Sequence, residues 1–219
     1  YARTAIGPEF PGSFEAYVAS LIAAWQDEKR DELHELARRM EDLGLTWKIK
    51  ADAIDDTRVE VRVGRLPKDR RGGAHDLVNI ADVGFGVSQS LPVLVALIAA
   101  EPGRLVYLEQ PEIHLHPKAQ RRLAHALCWA AKRDVRLVVE THSALLLREV
   151  QTLVARGEMP EDDVRLHWFA RDDDGATQIR TAELDESGAY GDWPEDFSDT
   201  ELDAERAYLD AVEQRSVQQ

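Results

Sequence analysis

The chain has 219 residues, of which 44% are hydrophobic and 31% are charged, and its formal net charge is −14. This composition is typical of a soluble globular protein with a substantial core, and it excludes a low-complexity chain. The single cysteine, Cys128, excludes an internal disulfide framework. The longest apolar stretch, residues 91–100, is too short to cross a bilayer, and no signal-peptide pattern is visible. We therefore expect a cytoplasmic protein that makes no membrane contact.

The negative charge is concentrated in the last third of the chain. Residues 160–219 hold 18 of the 41 acidic side chains but only five of the 27 basic ones. This stretch disfavours long-range attraction to nucleic acid, and its simplest role is to aid solubility. The rest of the chain is nearly neutral and leaves room for a local basic patch.

Helical periodicity dominates the start of the chain. Apolar residues recur at spacings of three and four between residues 14 and 43. This pattern predicts one long amphipathic helix, or two helices with a break at residues 27–31. Gly44 is well placed to end the helical segment.

Strand-like alternation follows the helical segment. Apolar and polar residues alternate at residues 45–50 and 57–63, which predicts two strands. The basic, glycine-rich residues 64–73 predict an exposed loop. We interpret residues 1–75 as a helical arm with antiparallel strands.

Residues 76–158 follow a different pattern, in which apolar strands alternate with helices. This alternation predicts parallel βαβ units that helices cover on both faces, and therefore an α/β fold. Pro117 suits the first turn of one helix, and Ser143 suits the N-cap of the next. The predicted elements are strands at residues 77–80, 104–108 and 135–140, and helices at residues 87–100, from residue 117, and to about residue 156.

Residues 159–219 return to an antiparallel pattern and form a third predicted region. Strands at residues 164–170 and 177–184 flank the turn at residues 172–175, which predicts a hairpin. A helix is predicted at residues 200–213.

Two of the predicted parallel strands end in a carboxylate. One ends at Glu109, and the other ends at Glu140, which precedes Thr141, His142 and Ser143. A parallel strand of this kind delivers a rigid anion to the carboxyl edge of the sheet, where ligands bind in such folds. The acid suits a magnesium ion that is held mostly through water and phosphates. A histidine after the next strand can donate a hydrogen bond to a phosphate oxygen.

The order of three elements resembles the second half of ABC-type ATPase heads, the group that contains SMC, RecF and OLD-family proteins. These elements are the glycine turn at residues 82–89, the strand that ends at Glu109, and the Thr-His-Ser strand end. In particular, the chain resembles bacterial ATPases whose uncharacterised C-terminal domain carries Trp-Pro-x-x-Phe, found here at residues 193–197. The resemblance covers residues 76–197. It implies an ABC-type ATPase half that binds ATP and Mg²⁺.

The resemblance also implies a role for each matching residue. Glu109 matches the Walker B acid that binds Mg²⁺, His116 lies in the D-loop region, and His142 matches the switch histidine that senses the γ-phosphate. The signature motif, whose helix start binds the γ-phosphate across a dimer, corresponds to Gly84, Phe85, Gly86, Val87, Ser88 and Gln89. The resemblance thus implies a head-to-tail homodimer. Relatives act on DNA or in defence against phages, often beside a nuclease partner.

Three departures from the family pattern bear on activity. The phosphate-binding loop Gly-x-x-x-x-Gly-Lys-Ser/Thr does not occur in the 219 residues, so we expect ATPase activity of a full-length protein but not of this chain alone. Gln110 replaces the glutamate that polarises the attacking water; it can orient water but cannot accept a proton, which leaves Glu112 as the candidate base. Phe85 occupies the position of the signature serine. These substitutions predict slow or switch-like turnover.

Two alternatives to an ATPase remain open from the sequence. The first is a metal-dependent hydrolase, because His-x-His is a common ligand spacing. Its candidate ligands are Glu112, His114, His116, His125 and His142. The second is a non-catalytic dimerisation or scaffold module with the helical segment of residues 14–44 as its partner surface. We prefer the ATPase interpretation, since several spaced motifs agree with it.

Overall fold

The computed structural model of the chain describes Thr4 and residues 14–65 and 76–191. The chain forms two compact units, Tyr1–Glu149 and Val150–Gln219. Most of the predicted basic loop, the Trp-Pro-x-x-Phe element and the predicted C-terminal helix lie outside the described residues. In the part of the chain that the structure describes, no helix is long and apolar enough to cross a membrane.

The first unit begins with two helices rather than one. Helix α1 spans Glu15–Asp27 and α2 spans Asp31–Asp42, so the predicted break lies between them. Lys29, within that break, has a φ of 52°, and Gly44, just after α2, has a φ of 78°. Gly44 ends α2 as predicted, because glycine adopts this left-handed conformation without a steric penalty.

A three-stranded antiparallel sheet follows the two helices. Strand β1 spans Ile49–Asp55, β2 spans Arg58–Gly64 and β3 spans Leu77–Asn79. The strands pair in the order β1-β2-β3. Alternate side chains of β2 are buried, as the alternating sequence predicts for a sheet with one face on the core.

Two details of this sheet differ from the sequence prediction. The strand predicted at residues 45–50 begins only at residue 49, and the Thr46 hydroxyl before it donates to the Gly64 carbonyl oxygen at 2.7 Å. Strand β3 was expected among the parallel strands, but it pairs antiparallel with β2. A parallel pair needs a crossover that returns the chain to the same end of the sheet, and no helix is predicted between β2 and β3.

The parallel βαβ unit that the sequence predicts is present. After a 3₁₀ turn at Ile80–Asp82, the chain forms α3 (Phe85–Ala99), β4 (Leu105–Glu109), α4 (Pro117–Ala131), β5 (Arg136–Glu140) and α5 (Ala144–Ala155). Strands β4 and β5 are parallel neighbours. The fold class is therefore α/β with antiparallel flanking strands, as predicted.

Within the described residues, one face of this parallel sheet is exposed. Leu108 is buried, whereas Leu105, Tyr107 and Val138 are 65%, 58% and 49% exposed. The period of two along a strand places these three exposed side chains on the same face. The prediction of helices on both faces is therefore wrong for the described residues, because this face is exposed.

Arginine side chains fix α4 against α2 and α3. The guanidinium groups of Arg39 and Arg133 lie 4.3 and 4.5 Å from the centre of the Trp129 ring. Each such cation–π contact contributes about 0.5–2 kcal/mol. Arg133 also donates to the carbonyl oxygens of Leu97 and Ala100, at 2.9 and 3.0 Å, and so satisfies acceptors at the end of α3. These contacts hold the helix whose N-terminus adjoins the candidate site.

The second unit contains the predicted hairpin. Strand β6 spans Arg165–Arg171 and β7 spans Thr177–Glu183, and the two pair antiparallel. In the turn between them, the Asp172 carboxylate accepts hydrogen bonds from the backbone N–H groups of Asp174 and Ala176, at 3.1 and 2.8 Å. The Asp172 side chain therefore supplies acceptors for backbone N–H groups within the turn.

Candidate functional site

The carboxyl ends of β4 and β5 place two glutamates side by side. Glu109 and Glu140 are direct partners in the parallel register, and both are exposed. The Tyr107 hydroxyl donates to Glu140 Oε2 at 3.2 Å. Desolvation, followed by this hydrogen bond and the charges of Glu140 and Glu109, raises the pKa of Tyr107. The sheet edge is therefore a locally anionic surface that is open to a ligand.

This sheet edge fits a magnesium ion better than a transition metal. The described residues contain no group of three or more His, Cys, Asp or Glu side chains that could hold a metal. Magnesium does not need such a group, because it usually binds one or two carboxylates and completes its shell with water and substrate phosphates. The exposed carboxylate of Glu109 meets this requirement.

Gln110 turns the chain away from the sheet. Its backbone N–H donates to the Glu140 carbonyl oxygen at 2.8 Å, which extends the ladder by one bond beyond Glu109. Its φ is 43°, a left-handed conformation that is uncommon for a residue with a side chain. Such conformations cost about 1–3 kcal/mol and concentrate at functional sites. The backbone of Gln110 is thus held in place beside Glu109, and its side chain is half-buried.

Glu112 joins the segment after β4 to the loop after β5. Its side chain is 6% exposed. The carboxylate oxygen Oε1 accepts a hydrogen bond from the Thr141 hydroxyl at 2.6 Å and another from the backbone N–H of His142 at 3.1 Å. The backbone of the predicted switch histidine is therefore held by the predicted candidate base.

A chain of hydrogen bonds continues from Thr141 to α4. Thr141 Oγ1 accepts from the backbone N–H of Ser143 at 3.0 Å, and the Ser143 hydroxyl donates to Gln120 Oε1 at 2.8 Å. The Gln120 amide then donates to the Leu115 carbonyl oxygen at 3.0 Å. Ser143 also accepts from the backbone N–H of Leu146, which is the predicted cap of α5. Both loops are thus tied to each other and to α4.

The predicted signature turn lies against the segment after β4. Helix α3 begins at Phe85, and its N-cap residue, Gly84, has no side chain that could cap the helix. Phe85 is 70% exposed, and its ring centre lies 5.4 Å from that of His114. A Cβ atom at Gly86 would come within 3.4 Å of the His114 carbonyl oxygen, so glycine permits this close approach. The turn and the D-loop-like segment, residues 112–117, form one surface.

The remaining residues of the turn are less prominent. Val87 and Ser88 are half-buried, and Gln89 is exposed. The Ser88 hydroxyl donates to the Phe85 carbonyl oxygen at 3.2 Å. The hydroxyl group is therefore engaged within its own helix.

The candidate metal ligands form no group that could hold a metal ion among the described residues. His116 caps α4, because its Nδ1 accepts from the backbone N–H of Lys118 at 3.3 Å. His125 Nε2 lies 3.0 Å from Glu149 Oε1, and His114 stacks on Phe85. Each histidine thus has a different neighbour, which disfavours the metal-dependent hydrolase.

Sequence reasoning missed three residues that shape this site. Glu140 was seen only as a strand end, Thr141 only as part of a run, and Gln120 was not considered. The signal for Glu140 was available, since two strands that end in an acid become neighbours in a parallel sheet. The bonds of Thr141 and Gln120 depend on how distant loops approach, which the sequence does not show.

Comparison with known families and structures places this geometry in context. A family model described as "AAA domain, putative AbiEii toxin, Type IV TA system" matches residues 5–148. No curated protein matches the chain.

Three solved structures are similar to this chain, one of them with a TM-score above 0.5. An Smc head bound to the C-winged helix domain of ScpA has a TM-score of 0.51 and 12% identity over 79% of this chain and 51% of that chain. A structure from work on ATP-driven dimerization and DNA stimulated activation of SMC ATPases has a TM-score of 0.48 and 12% identity over 77% of this chain and 89% of that chain. An Smc head domain with an extended coiled coil from Pyrococcus furiosus, bound to the C-terminal domain of ScpA, has a TM-score of 0.49 and 8% identity. This match covers 78% of this chain and 37% of that chain.

Proposed function

Because the chain belongs to the AAA-domain family whose model matches residues 5–148, we propose that it contributes to an ABC-type ATP switch. The family match and the Smc-like fold support an ATPase domain. The observation that carries the proposal is the parallel register of β4 and β5. It brings Glu109 and the loop of His142 to the same sheet edge.

The proposed roles follow from the position of each residue at this edge. Glu109 holds Mg²⁺ together with the phosphates of ATP and water. When bound, the ion neutralises charge on the β- and γ-phosphate oxygens. Gln110 positions the attacking water through its amide, and the exposed imidazole of His142 donates to the γ-phosphate.

The signature turn supplies the contact between two copies. The uncapped N-terminus of α3, from Gly84 to Gln89, approaches the nucleotide of a second copy, and the positive end of the helix favours the γ-phosphate. His116, at the start of α4, lies in the adjoining D-loop-like segment. In this arrangement two heads bind head-to-tail and each completes the other's nucleotide site.

The His142→Ala variant tests the switch. In the intact gene product, we expect it to abolish ATP-driven dimer closure, because no other group in the loop would sense the γ-phosphate. Sedimentation velocity with and without ATP measures closure. His34→Ala, an exposed histidine of α2, is the matched control and should close normally. If His142→Ala closes as well as the wild-type protein, the assignment of the switch histidine is wrong.

We further propose that the switch controls an effector directed at DNA or at phage defence, such as a nuclease. The toxin–antitoxin description of the family and the resemblance to SMC, RecF and OLD-family heads support this proposal. An ATP hydrolysis rate that duplex DNA leaves unchanged would argue against the DNA-directed form.

A second candidate function is a dimerisation module that works without nucleotide. Phe85 is 70% exposed and Ile113 is 49% exposed, close to the contact between Phe85 and His114. Exposed apolar side chains that cluster in this way are typical of protein interfaces. A dimer that forms equally well without ATP would favour this function.

A further inference from the structure

The carboxylate of Glu112 is withdrawn from solvent at the junction of two loops. Its side chain is 6% exposed, and Oε1 accepts two hydrogen bonds, from Thr141 and from the backbone of His142. The second oxygen, Oε2, is inaccessible and has no hydrogen-bond partner within residues 14–65 and 76–191. Burying a carboxylate costs several kcal/mol unless its bonds compensate. The bonds to the loop after β5 are therefore the contacts that oppose this penalty.

This environment is unsuited to a general base. A base must have an oxygen within hydrogen-bond reach of the water whose proton it accepts. Oε1 of Glu112 is already occupied by two donors, and Oε2 does not reach solvent. The carboxylate instead faces the protein.

The two bonds place Glu112 between the elements that must act together. On one side it fixes the backbone N–H of His142, whose ring remains exposed. On the other side, it belongs to the same short segment as Gln110 and His114. The His114 ring contacts Phe85 of the signature turn, and its carbonyl oxygen faces the space that a side chain at Gly86 would enter. These contacts give a continuous path from the His142 backbone to the segment of Gln110 and His114.

We propose that Glu112 is a positioning residue that couples the switch histidine to the segment of Gln110 and His114. This inference rests on the proposed ATP switch and deepens it. The coupling acts through an acceptor oxygen rather than through basicity or charge. Glutamine at this position keeps an acceptor of nearly the same shape, whereas leucine removes it.

The first part of the test measures hydrolysis in the intact gene product. We expect Glu112→Leu to lower kcat about 10²-fold with little change in KM, since misplacing a reacting group by about 1 Å has this effect. Glu112→Gln, which keeps an acceptor oxygen, should retain most of the wild-type kcat. Thr141→Val removes the hydroxyl that donates to Glu112, at nearly constant side-chain volume, and should also lower kcat. Thr141→Ser keeps a hydroxyl and should have a kcat close to that of the wild-type protein.

The second part of the test uses the 219-residue chain without nucleotide. Hydrogen exchange at the His142 amide reports the bond to Glu112 directly. We expect protection in the wild-type chain and in Glu112→Gln, and at least tenfold faster exchange in Glu112→Leu. Circular dichroism of the same samples checks that Glu112→Leu is folded. If it is not folded, the kcat of Thr141→Val tests the coupling instead, because this variant removes the other hydrogen bond to Glu112.

The two parts separate this inference from the proposed function. If Glu112→Gln loses activity as severely as Glu112→Leu while His142 stays protected, Glu112 is a base and the positioning role is overturned. If Glu112→Leu leaves the exchange of His142 unchanged, the coupling is overturned as well. If the exchange behaves as expected but no variant or wild-type protein hydrolyses ATP, the structural coupling stands and the proposed function fails.

Discussion

Gln110 follows Glu109 directly and begins the turn away from the sheet with a φ of 43°. An amide at this point can hold a water molecule but cannot accept its proton. Glutamate has almost the same shape, so Gln110→Glu should preserve the turn and add a base. We expect faster ATP hydrolysis by the intact gene product, in the range of about 10²–10⁴-fold for a positioned base. Single-turnover measurements report this step without product release.

The control for this substitution is Gln110→Ala. It removes the amide without adding a base, so it should not raise the rate of hydrolysis. An equal increase in both variants would show that the wild-type side chain only obstructs the site. No increase in Gln110→Glu would mean that the water does not lie beside this residue.

At this scale the sequence predicts the position of Glu109 better than it predicts the contacts of the loops. The strand pattern alone predicts that Glu109 reaches the carboxyl edge, and the structure places it there beside Glu140. The partners of Glu112 are 29 and 30 residues away, so they depend on the packing of two loops. Burial of the candidate base was likewise invisible, since nothing in the residues around it marks it as enclosed.

Helices α4 and α5 are joined by one buried carboxylate. Glu149 is 4% exposed, and it accepts from Arg121 at 2.6 Å and pairs with His125 at 3.0 Å. Burial by itself raises the pKa of Glu149, but the bonds from Arg121 and His125 outweigh it and hold the pKa below its usual value. The folded protein therefore keeps this carboxylate ionised at a pH where the unfolded chain binds a proton.

The sign of this shift predicts an acid-sensitive contact. The stability from Glu149 is present above the pKa of the unfolded chain and is lost as pH falls through the lowered pKa of the folded protein. Urea unfolding between pH 7 and pH 3 measures it. Glu149→Gln should lower the free energy of unfolding by about 1–3 kcal/mol at pH 7 and flatten its decline in acid. Glu41→Gln, at an exposed position of α2, should retain the wild-type profile; an unchanged profile in Glu149→Gln would contradict the prediction.

Most elements followed from local patterns, apart from β1, which spans Ile49–Asp55 instead of the predicted residues 45–50. Helices α1 to α5, the strands of the parallel pair and the hairpin arise from periodicity, turns and caps that lie within each segment. Two further differences have a common origin. The first difference is the antiparallel pairing of β3 with β2, and the second is the exposed face of the parallel sheet. Both depend on which elements pack against each other in the tertiary structure. The sequence does not show that Leu105 and Tyr107 are exposed, because every residue of this strand before Glu109 is apolar and no alternation marks an exposed face.

At the scale of the whole molecule, two of the exposed apolar side chains lie where a second copy is expected. Phe85 belongs to the signature turn, and Ile113 belongs to the segment that contacts it. In the proposed head-to-tail dimer both side chains would face the other copy. This exposed position also explains how a bulky phenylalanine is tolerated where the resemblance implies a serine, since the ring projects to the surface and lies at 34° to the His114 ring.

Phe85→Glu tests this surface directly. A carboxylate there removes apolar contact and repels the phosphates of the second copy's nucleotide, so ATP-bound intact gene product should sediment as a monomer while each copy still binds labelled ATP. Ile54→Glu is the matched control, because Ile54 is 56% exposed on β1, outside the proposed interface, and this variant should dimerise normally. A dimer that persists in Phe85→Glu would place the interface elsewhere. A dimer that forms without ATP and is lost in Phe85→Glu would instead identify a constitutive dimerisation module, because the same surface would then act independently of the nucleotide.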